Sequence, residues 1–239
     1  AWDFNQSINW WDVSKVGNVE GMFVNAYDFN HPLDNWTTDS VTNMDMMFQY
    51  ASSFNQSLNS WNVSSVTSMQ NMFSNCGVFN QSLNNWDVSS VTNMAWMFLS
   101  ATAFNQPLND WNTSKVTTMS RMFFFAGSFN QDISSWVVRR VEDGDGMFTV
   151  WNLSTSYYDS LLIGWASQDL KNDTVLGAGG SEYSCGEAAA ARQSIIDNYN
   201  WTITDGGEAS GCVSFDTAWN TSLISVGSSN ASQITLPLV

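Results

Sequence analysis

The chain has 239 residues, with 22 acidic side chains against 7 Lys and Arg, a formal charge of -15 and a pI near 4.1. So acidic a balance excludes nucleic acid and anionic membrane surfaces as partners, because both are recognised through basic patches. No apolar run approaches the ~20 residues that would insert across a bilayer, so no membrane insertion is expected.

From the start of the chain the pair Phe-Asn recurs at Phe4, Phe29, Phe54, Phe79, Phe104 and Phe129, always 25 residues apart. Trp11, Trp36, Trp61, Trp86, Trp111 and Trp136 keep the same step, as does the Val column from Val16 to Val141. A period of this size marks a stacked array. In the third unit Phe54, Leu58, Trp61, Val66, Met69, Met72 and Phe73 are the large apolar residues, too few to offset the entropy of ordering one unit alone. Each coil must therefore rest on the next. Val66, Met69, Met72 and Phe73, spaced i, i+3, i+6 and i+7, predict a short helix capped by Ser64 or Ser65. Gln56-Ser57-Leu58-Asn59 predicts one short parallel strand per coil. Stacked at about 4.8 Å per step, such coils place Asn5, Asn30, Asn55, Asn80, Asn105 and Asn130 in a ladder, amide on amide. The fold class is an α/β solenoid.

The pattern F-N-x-x-L-x-x-W-x-V-S-x-V-T-x-M-x-x-M-F resembles the BspA-like repeat of bacterial surface proteins, a relative of leucine-rich repeats (LRR), over residues 1–150. That resemblance implies an LRR-like right-handed coil stack, an extracellular or cell-surface setting, and adhesion or structure in place of catalysis. The stretches STSYYDSLLIGWASQ and SCGEAAAARQSIIDNYNWTITDGG resemble the unit that caps such arrays.

Three regions are expected: the array at 1–150, a cap at 151–212 and a β-strand tail at 213–239. Ala1 falls in the column of Ala26 and Ala51, so the array is expected to begin in mid-coil, as a piece of something longer. In the sixth coil Val137, Val138, Arg139 and Arg140 replace the usual polar run and Gly144 replaces Met, which predicts looser packing. The cap should hold two helices: one buries Tyr158, Leu161, Leu162 and Trp165, and the other opens on the capping box Ser184-Cys185-Gly186-Glu187 and turns Ile195, Ile196 and Tyr199 inward. Trp201 and Ile203 alternate as a short strand. Cys185 and Cys212 bracket the second helix and its strand; a disulfide between them would close a loop worth roughly 3–4 kcal/mol. Cys76 stands in a column of alanines and reads as a buried thiol. In the tail, Phe215, Thr217 and Trp219 alternate, as do Ile234, Leu236 and Leu238, two strands that open a following β-domain or pair with a neighbouring molecule.

His31, the one histidine, occupies a Gln column, which leaves no partner for Ser, Cys or Thr nucleophilic catalysis and no zinc set, so no enzyme is expected. Glu142-Asp143-Gly144-Asp145-Gly146 is the densest acidic cluster; Asp143 and Asp145 are weak candidates for calcium, because no further oxygen ligands follow at loop spacing. No other cofactor is expected. Most tryptophans hold a core column, whereas Trp2, Trp10, Trp96 and Trp151 stand off it and are candidates for exposure. Sequons are frequent (Asn5, Asn35, Asn55, Asn62, Asn80, Asn112, Asn152), and Ser40, Ser160, Thr174 and Thr217 follow Asp in a pattern that resembles a short bacterial O-glycosylation motif. The function expected is a non-enzymatic extracellular surface or structural module of a larger protein, acting by adhesion or self-assembly, with a protein surface, a glycan or copies of itself as partner. Its alternatives are a filament or matrix subunit joined by strand addition of the tail, and a carbohydrate-binding module.

Overall fold

The computed structural model describes residues 3–211. Two sets of backbone hydrogen bonds build each coil, and residues 54–78 stand for the rest. Within the coil N–H groups reach back three residues: Trp61 to Leu58 O, Val66 to Val63 O, Met72 to Met69 O, Ser74 to Asn71 O and Cys76 to Phe73 O, at 2.9–3.2 Å. Between coils, alternate N–H groups reach forward: Met69 to Asn93 O, Asn71 to Ala95 O, Phe73 to Met97 O and Asn75 to Leu99 O, at 2.7–3.0 Å. Single parallel bridges link Asn18, Asn43, Ser68, Asn93, Thr118 and Asp143 in one column.

The segment 66–73, expected to be helical, is instead non-helical, with a bridge at Ser68 and turns from 70 to 75. Asn71 (φ 57) and Asn75 (φ 61) lie in the left-handed region, which a right-handed helix cannot pass through. No helix therefore needs a cap at Ser64 or Ser65, and the N–H of Ser64 is turned to Asn62 Oδ1 at 3.1 Å. The parallel pairing also falls on Ser68 and not on Gln56-Ser57-Leu58-Asn59. At 56–59 the coils are joined by side chains. Asn30 Oδ1 accepts the Asn55 N–H at 2.9 Å and the Gln56 amide at 3.0 Å, and the pattern repeats through Asn55, Asn80 and Asn105. The ladder is thus side-chain carbonyl to backbone N–H, not amide on amide, and it ends with Ser154 N–H on Asn130 Oδ1 at 2.8 Å. Beside it each indole Nε1 donates to the preceding coil: Trp36 to Ile8 O, Trp61 to Leu33 O, Trp86 to Leu58 O, Trp111 to Leu83 O and Trp136 to Leu108 O, at 2.9–3.2 Å.

The interior holds two files of phenylalanine rings. Phe48 and Phe54 lie 4.0 Å apart across the files, and their column neighbours Phe73 and Phe79 follow at 5.7 and 6.0 Å. Offset stacks of this kind add about 0.5–1.5 kcal/mol each to the area they bury. Met44, Met69, Met94 and Met119 are buried beside them.

Helix α1 (Thr155–Ala166) closes the array, burying Tyr158, Leu161, Leu162 and Trp165. Trp165 Nε1 donates to Ile133 O at 3.4 Å, extending the indole ladder from coil to helix. Strand β1 (Val175–Gly177) follows, then β2 (Glu182–Tyr183), α2 (Glu187–Tyr199), β3 (Thr202–Thr204) and β4 (Gly207–Glu208). Parallel pairs β1–β3 and β2–β4 form, and a bridge from Gly144 to Leu176 carries the bridge column into β1 and on to β3. This explains the sixth coil, whose Ile133, Trp136, Val138 and Val141 stay buried. A Cβ at Gly144 would stand 3.0 Å from Val175 O, so glycine admits the strand and Leu176 occupies the space of the missing Met. The capping box does not form: Gly186 (φ 88) is the N-cap of α2, and the Ser184 N–H is spent on Asp159 Oδ1 at 2.8 Å. Asp205, its side chain 3% exposed, ties the cap together by accepting from Tyr158 Oη at 2.7 Å and Arg192 Nε at 2.7 Å.

Gly177→Ala should destabilise by about 3 kcal/mol, because the new Cβ would fall 2.3 Å from Gly146 N, whereas Gly17→Ala, with Ser40 O at 3.8 Å, should change little; urea unfolding compares them. Burial, and then the bond to Asp205, push the Tyr158 hydroxyl well above its ordinary value. The unfolded tyrosine ionises first, near pH 10. Its stabilisation is therefore complete below about pH 10 and declines as pH rises above it. Tyr158→Phe should flatten that alkaline limb in a series of melts at pH 8–11, while Asp205→Ala should cost about 3–5 kcal/mol by leaving the largely buried Arg192 without its carboxylate.

Candidate functional site

The turns that replace the predicted helix give each coil two left-handed positions, and these set apart one face. The first column reads Gly21, Met46, Asn71, Trp96, Arg121, Gly146, and the second Asn25, Tyr50, Asn75, Ser100, Phe125, Val150, all with φ between 52 and 82. Glycine and asparagine suit this conformation; a bulky or β-branched residue costs about 1–2 kcal/mol there. Trp96, Arg121, Phe125 and Val150 therefore occupy strained positions that local structure would fill better with Asn or Gly. Such outliers gather where a surface has another use.

In coils four to six these residues meet. The Arg121 guanidinium lies 5.1 Å from the Trp96 ring centroid and 5.8 Å from that of Phe124. Phe124 meets Phe125 edge to face at 4.7 Å. Phe125 is 43% exposed and Trp151 45%. Trp151 stands in the column of Ala101 and Ala126, too small for an indole, and its ring lies over Gly127, where a Cβ would come within 2.8 Å. Arg121 presents its donors between two aromatic faces, an arrangement that can stack on flat or CH-rich groups while binding an acceptor.

Of the off-column tryptophans, Trp10 is 79% exposed, Trp96 is half-buried against Arg121, and Trp2 lies outside the described residues. The sequence reading missed Arg121, Phe124 and Phe125. The run Arg121-Met122-Phe123-Phe124-Phe125 carried the signal, since Phe123 completes the core column and the next two rings have no column of their own.

The other candidates fall elsewhere. Asp143 Oδ1 accepts the Asp145 N–H at 2.9 Å, Glu142 pairs with Lys171, and among the described residues no group of three or more His, Cys, Asp or Glu is placed to hold a metal. His31 Nε2 lies 3.2 Å from Asn5 O, at the first step of the Asn-Gln ladder. Cys76 is buried, and burial pushes its thiol far above the usual range. The Ser40 hydroxyl donates to Ser14 O and that of Ser160 to Ser156 O. Thr174 corrects the glycosylation pattern: it is 1% exposed with its hydroxyl on Val141 O, so a glycan has no access. Asn62 and Asn112 spend their side-chain carbonyls on Ser64 and Ser114 N–H, and Asn55 and Asn80 stand in the ladder. Cys212, and with it the expected disulfide to Cys185, Thr217, and the tail residues Phe215, Trp219, Ile234, Leu236 and Leu238 lie outside the described residues.

Neighbouring phenylalanines should respond oppositely to substitution. Phe123→Ala in the core should cost about 3–5 kcal/mol, while Phe125→Asn should leave stability unchanged or raise it by up to about 1 kcal/mol as the left-handed strain is relieved; thermal melts of the two variants check this.

Comparison with known proteins agrees with the periodicity. A family described as "Mycoplasma protein of unknown function, DUF285" matches twice, over residues 1–83 and 59–161, together about two thirds of the chain. The overlap is what a repeat in register with itself produces. Neither the curated proteins nor the solved structures contain a match. The repeat array thus places this chain in the DUF285 family, whose function is unknown.

Proposed function

We propose that the chain is a non-enzymatic extracellular surface module of the BspA-like, LRR-related kind, an α/β solenoid whose coil stack holds an adhesive face rigid. The observation that supports this most strongly is the set Trp96, Arg121 and Phe125, kept in left-handed positions and presented on adjoining turns. Rigid aromatic anchors with one arginine are the residues that dominate binding surfaces. The face suits a protein or glycan surface as partner, and a carbohydrate-binding role is one form of the same reading.

A second reading is self-assembly as a filament or matrix subunit through strand addition by the tail, which falls on Phe215–Trp219 and Ile234–Leu238, outside the described residues.

Full-length protein applied to a panel of immobilised glycans and glycoproteins should bind at least one of them. The combined Trp96→Ser, Phe125→Asn change should weaken that binding tenfold or more without loss of fold. Retention of full binding by the variant sinks the adhesive face. Sedimentation across concentration decides the second reading: reversible association supports it, and a monomer throughout removes it.

A further inference from the structure

Only seven residues of this chain are Lys or Arg, and three of them, Lys115, Arg139 and Arg140, converge on one concavity. Lys115 and Arg140 share a column on coils five and six, where Ser40, Ser65 and Ser90 stand in coils two to four, and Arg139 occupies the column of Ser64, Ser89 and Ser114. Like charges in register on neighbouring coils repel. An acidic chain could relieve that repulsion with a carboxylate, as it does for Lys171 with Glu142 and for Arg192 with Asp205, the ion pairs among the described residues. Lys115, Arg139 and Arg140 take part in neither. Two acids border this patch. Asp87 accepts the Ser89 N–H at 3.0 Å, and the Ser89 hydroxyl and then this N–H, more than the charge of Lys115, hold its carboxyl below the usual range. Asp169 lies in the next groove.

That next groove matters. Arg139 lines both the basic concavity of about 320 Å3, shared with Ser114, and a second of about 410 Å3 between coil six and α1. The second is floored by polar atoms whose donors are already spent: Ser135 Oγ donates to Asn109 O at 2.8 Å, Ser167 Oγ to Gly164 O at 2.7 Å, and Gln168 bridges the Val138 N–H and Trp136 O. The lone pairs of Ser135 and Ser167 and the Asp169 carboxylate are acceptors, and Ser134 and Arg139 line the same groove. Acceptors in one groove and three unpaired cations beside it fit a ligand with hydroxyl donors at one end and oxyanions at the other.

We infer that the junction of coils five and six with α1 is a binding site for an acidic saccharide: its sulfate or carboxylate groups sit on Lys115, Arg139 and Arg140, and its hydroxyls donate into the Ser135–Ser167–Asp169 groove. The site stands apart from the Trp96–Arg121–Phe125 face and uses none of its residues, so each can fail without the other. Arginine gives the planar two-point grip that an oxyanion accepts.

The full chain is titrated at low salt, by calorimetry, with inorganic sulfate, a sulfated uronate–glucosamine disaccharide and the same disaccharide without sulfate. One saturable site for the sulfated sugar is expected. It should weaken at least tenfold in Arg139→Gln/Arg140→Gln, weaken as NaCl is raised, and be unchanged in Lys15→Gln, the control cation of the same column on coil one. Binding of the sulfated sugar alone assigns the oxyanion to sulfate esters, and equal binding of both sugars assigns it to carboxylate. The proposal is overturned by no saturable binding, by binding that Arg139→Gln/Arg140→Gln leaves intact in a folded protein, or by inorganic sulfate binding as tightly as either sugar, which would leave the groove without a role.

Discussion

Everything else in this protein depends on where the backbone N–H groups of one coil go. In an ordinary helix each is satisfied four residues back. Here one group in two closes a turn three residues back, and its neighbour crosses to the next coil, as Met69, Asn71, Phe73 and Asn75 do. A coil by itself therefore leaves half of this row unpaired, at a cost of about 1–3 kcal/mol for each group that becomes buried. Stacking is the condition for closing the hydrogen-bond inventory as well as for burying Phe and Trp. The fixed period follows, because an inserted residue would throw every bond of the row out of register with the coil ahead.

The same geometry divides the surface into positions that vary freely and positions that do not. Inward columns are held by two constraints at once: Trp61 must fill its place and must also reach Leu33 O, and Asn55 must both turn the chain and accept from Asn80. Among the described residues no buried side-chain nitrogen or oxygen lacks a partner, which shows how completely these columns are specified. The left-handed columns carry a weaker constraint, a steric cost of about 1–2 kcal/mol for anything but Gly or Asn. Coils one and three accept the cheap residues at both positions, Gly21 with Asn25 and Asn71 with Asn75. Coil two, with Met46 and Tyr50, and coils four and five, with Trp96, Arg121 and Phe125, do not, and it is the contact of Arg121 with Trp96 that sets the later face apart from the scaffold.

How far the sequence discloses this architecture depends on the range of the interaction. Columns such as Phe54 and Phe79 are legible because a period needs no knowledge of geometry. The conformation inside the period is not. Val66, Met69, Met72 and Phe73 have a helical spacing, yet the intervening Asn71 adopts φ 57 and the bonds go to another coil, a choice between local and stacked pairing that spacing alone leaves open. Gly144 shows the same limit from the other side: in its column it looks like a lost Met, and only the arrival of Val175 and Leu176, more than thirty residues later in the chain, gives it a reason. The Ser184-x-x-Glu187 motif misleads because Asp159, on α1, competes successfully for the Ser184 N–H. Arg121 and Phe125 stay hidden because attention to the repeat passes over the positions where one coil departs from it.

The two features assigned roles share a cause. The coil array ends where the bridge column passes through Gly144 into Leu176 and then Ile203, so the last coils touch segments of a different length and composition. Freed from the demand to match a following identical coil, residues of coils five and six depart from their columns: Phe124 and Phe125 outward on one face, Arg139 and Arg140 outward on another, Trp151 displaced from an alanine position onto Gly127. The interior does not share in this drift, since Phe123, Phe129 and Phe148 continue the stack at 3.8 and 5.6 Å. The cap then fixes the altered coils in place through Trp165 on Ile133 and Gln168 on Val138 and Trp136, so that chemistry brought in at the end of the repeat is held as rigidly as the repeat itself.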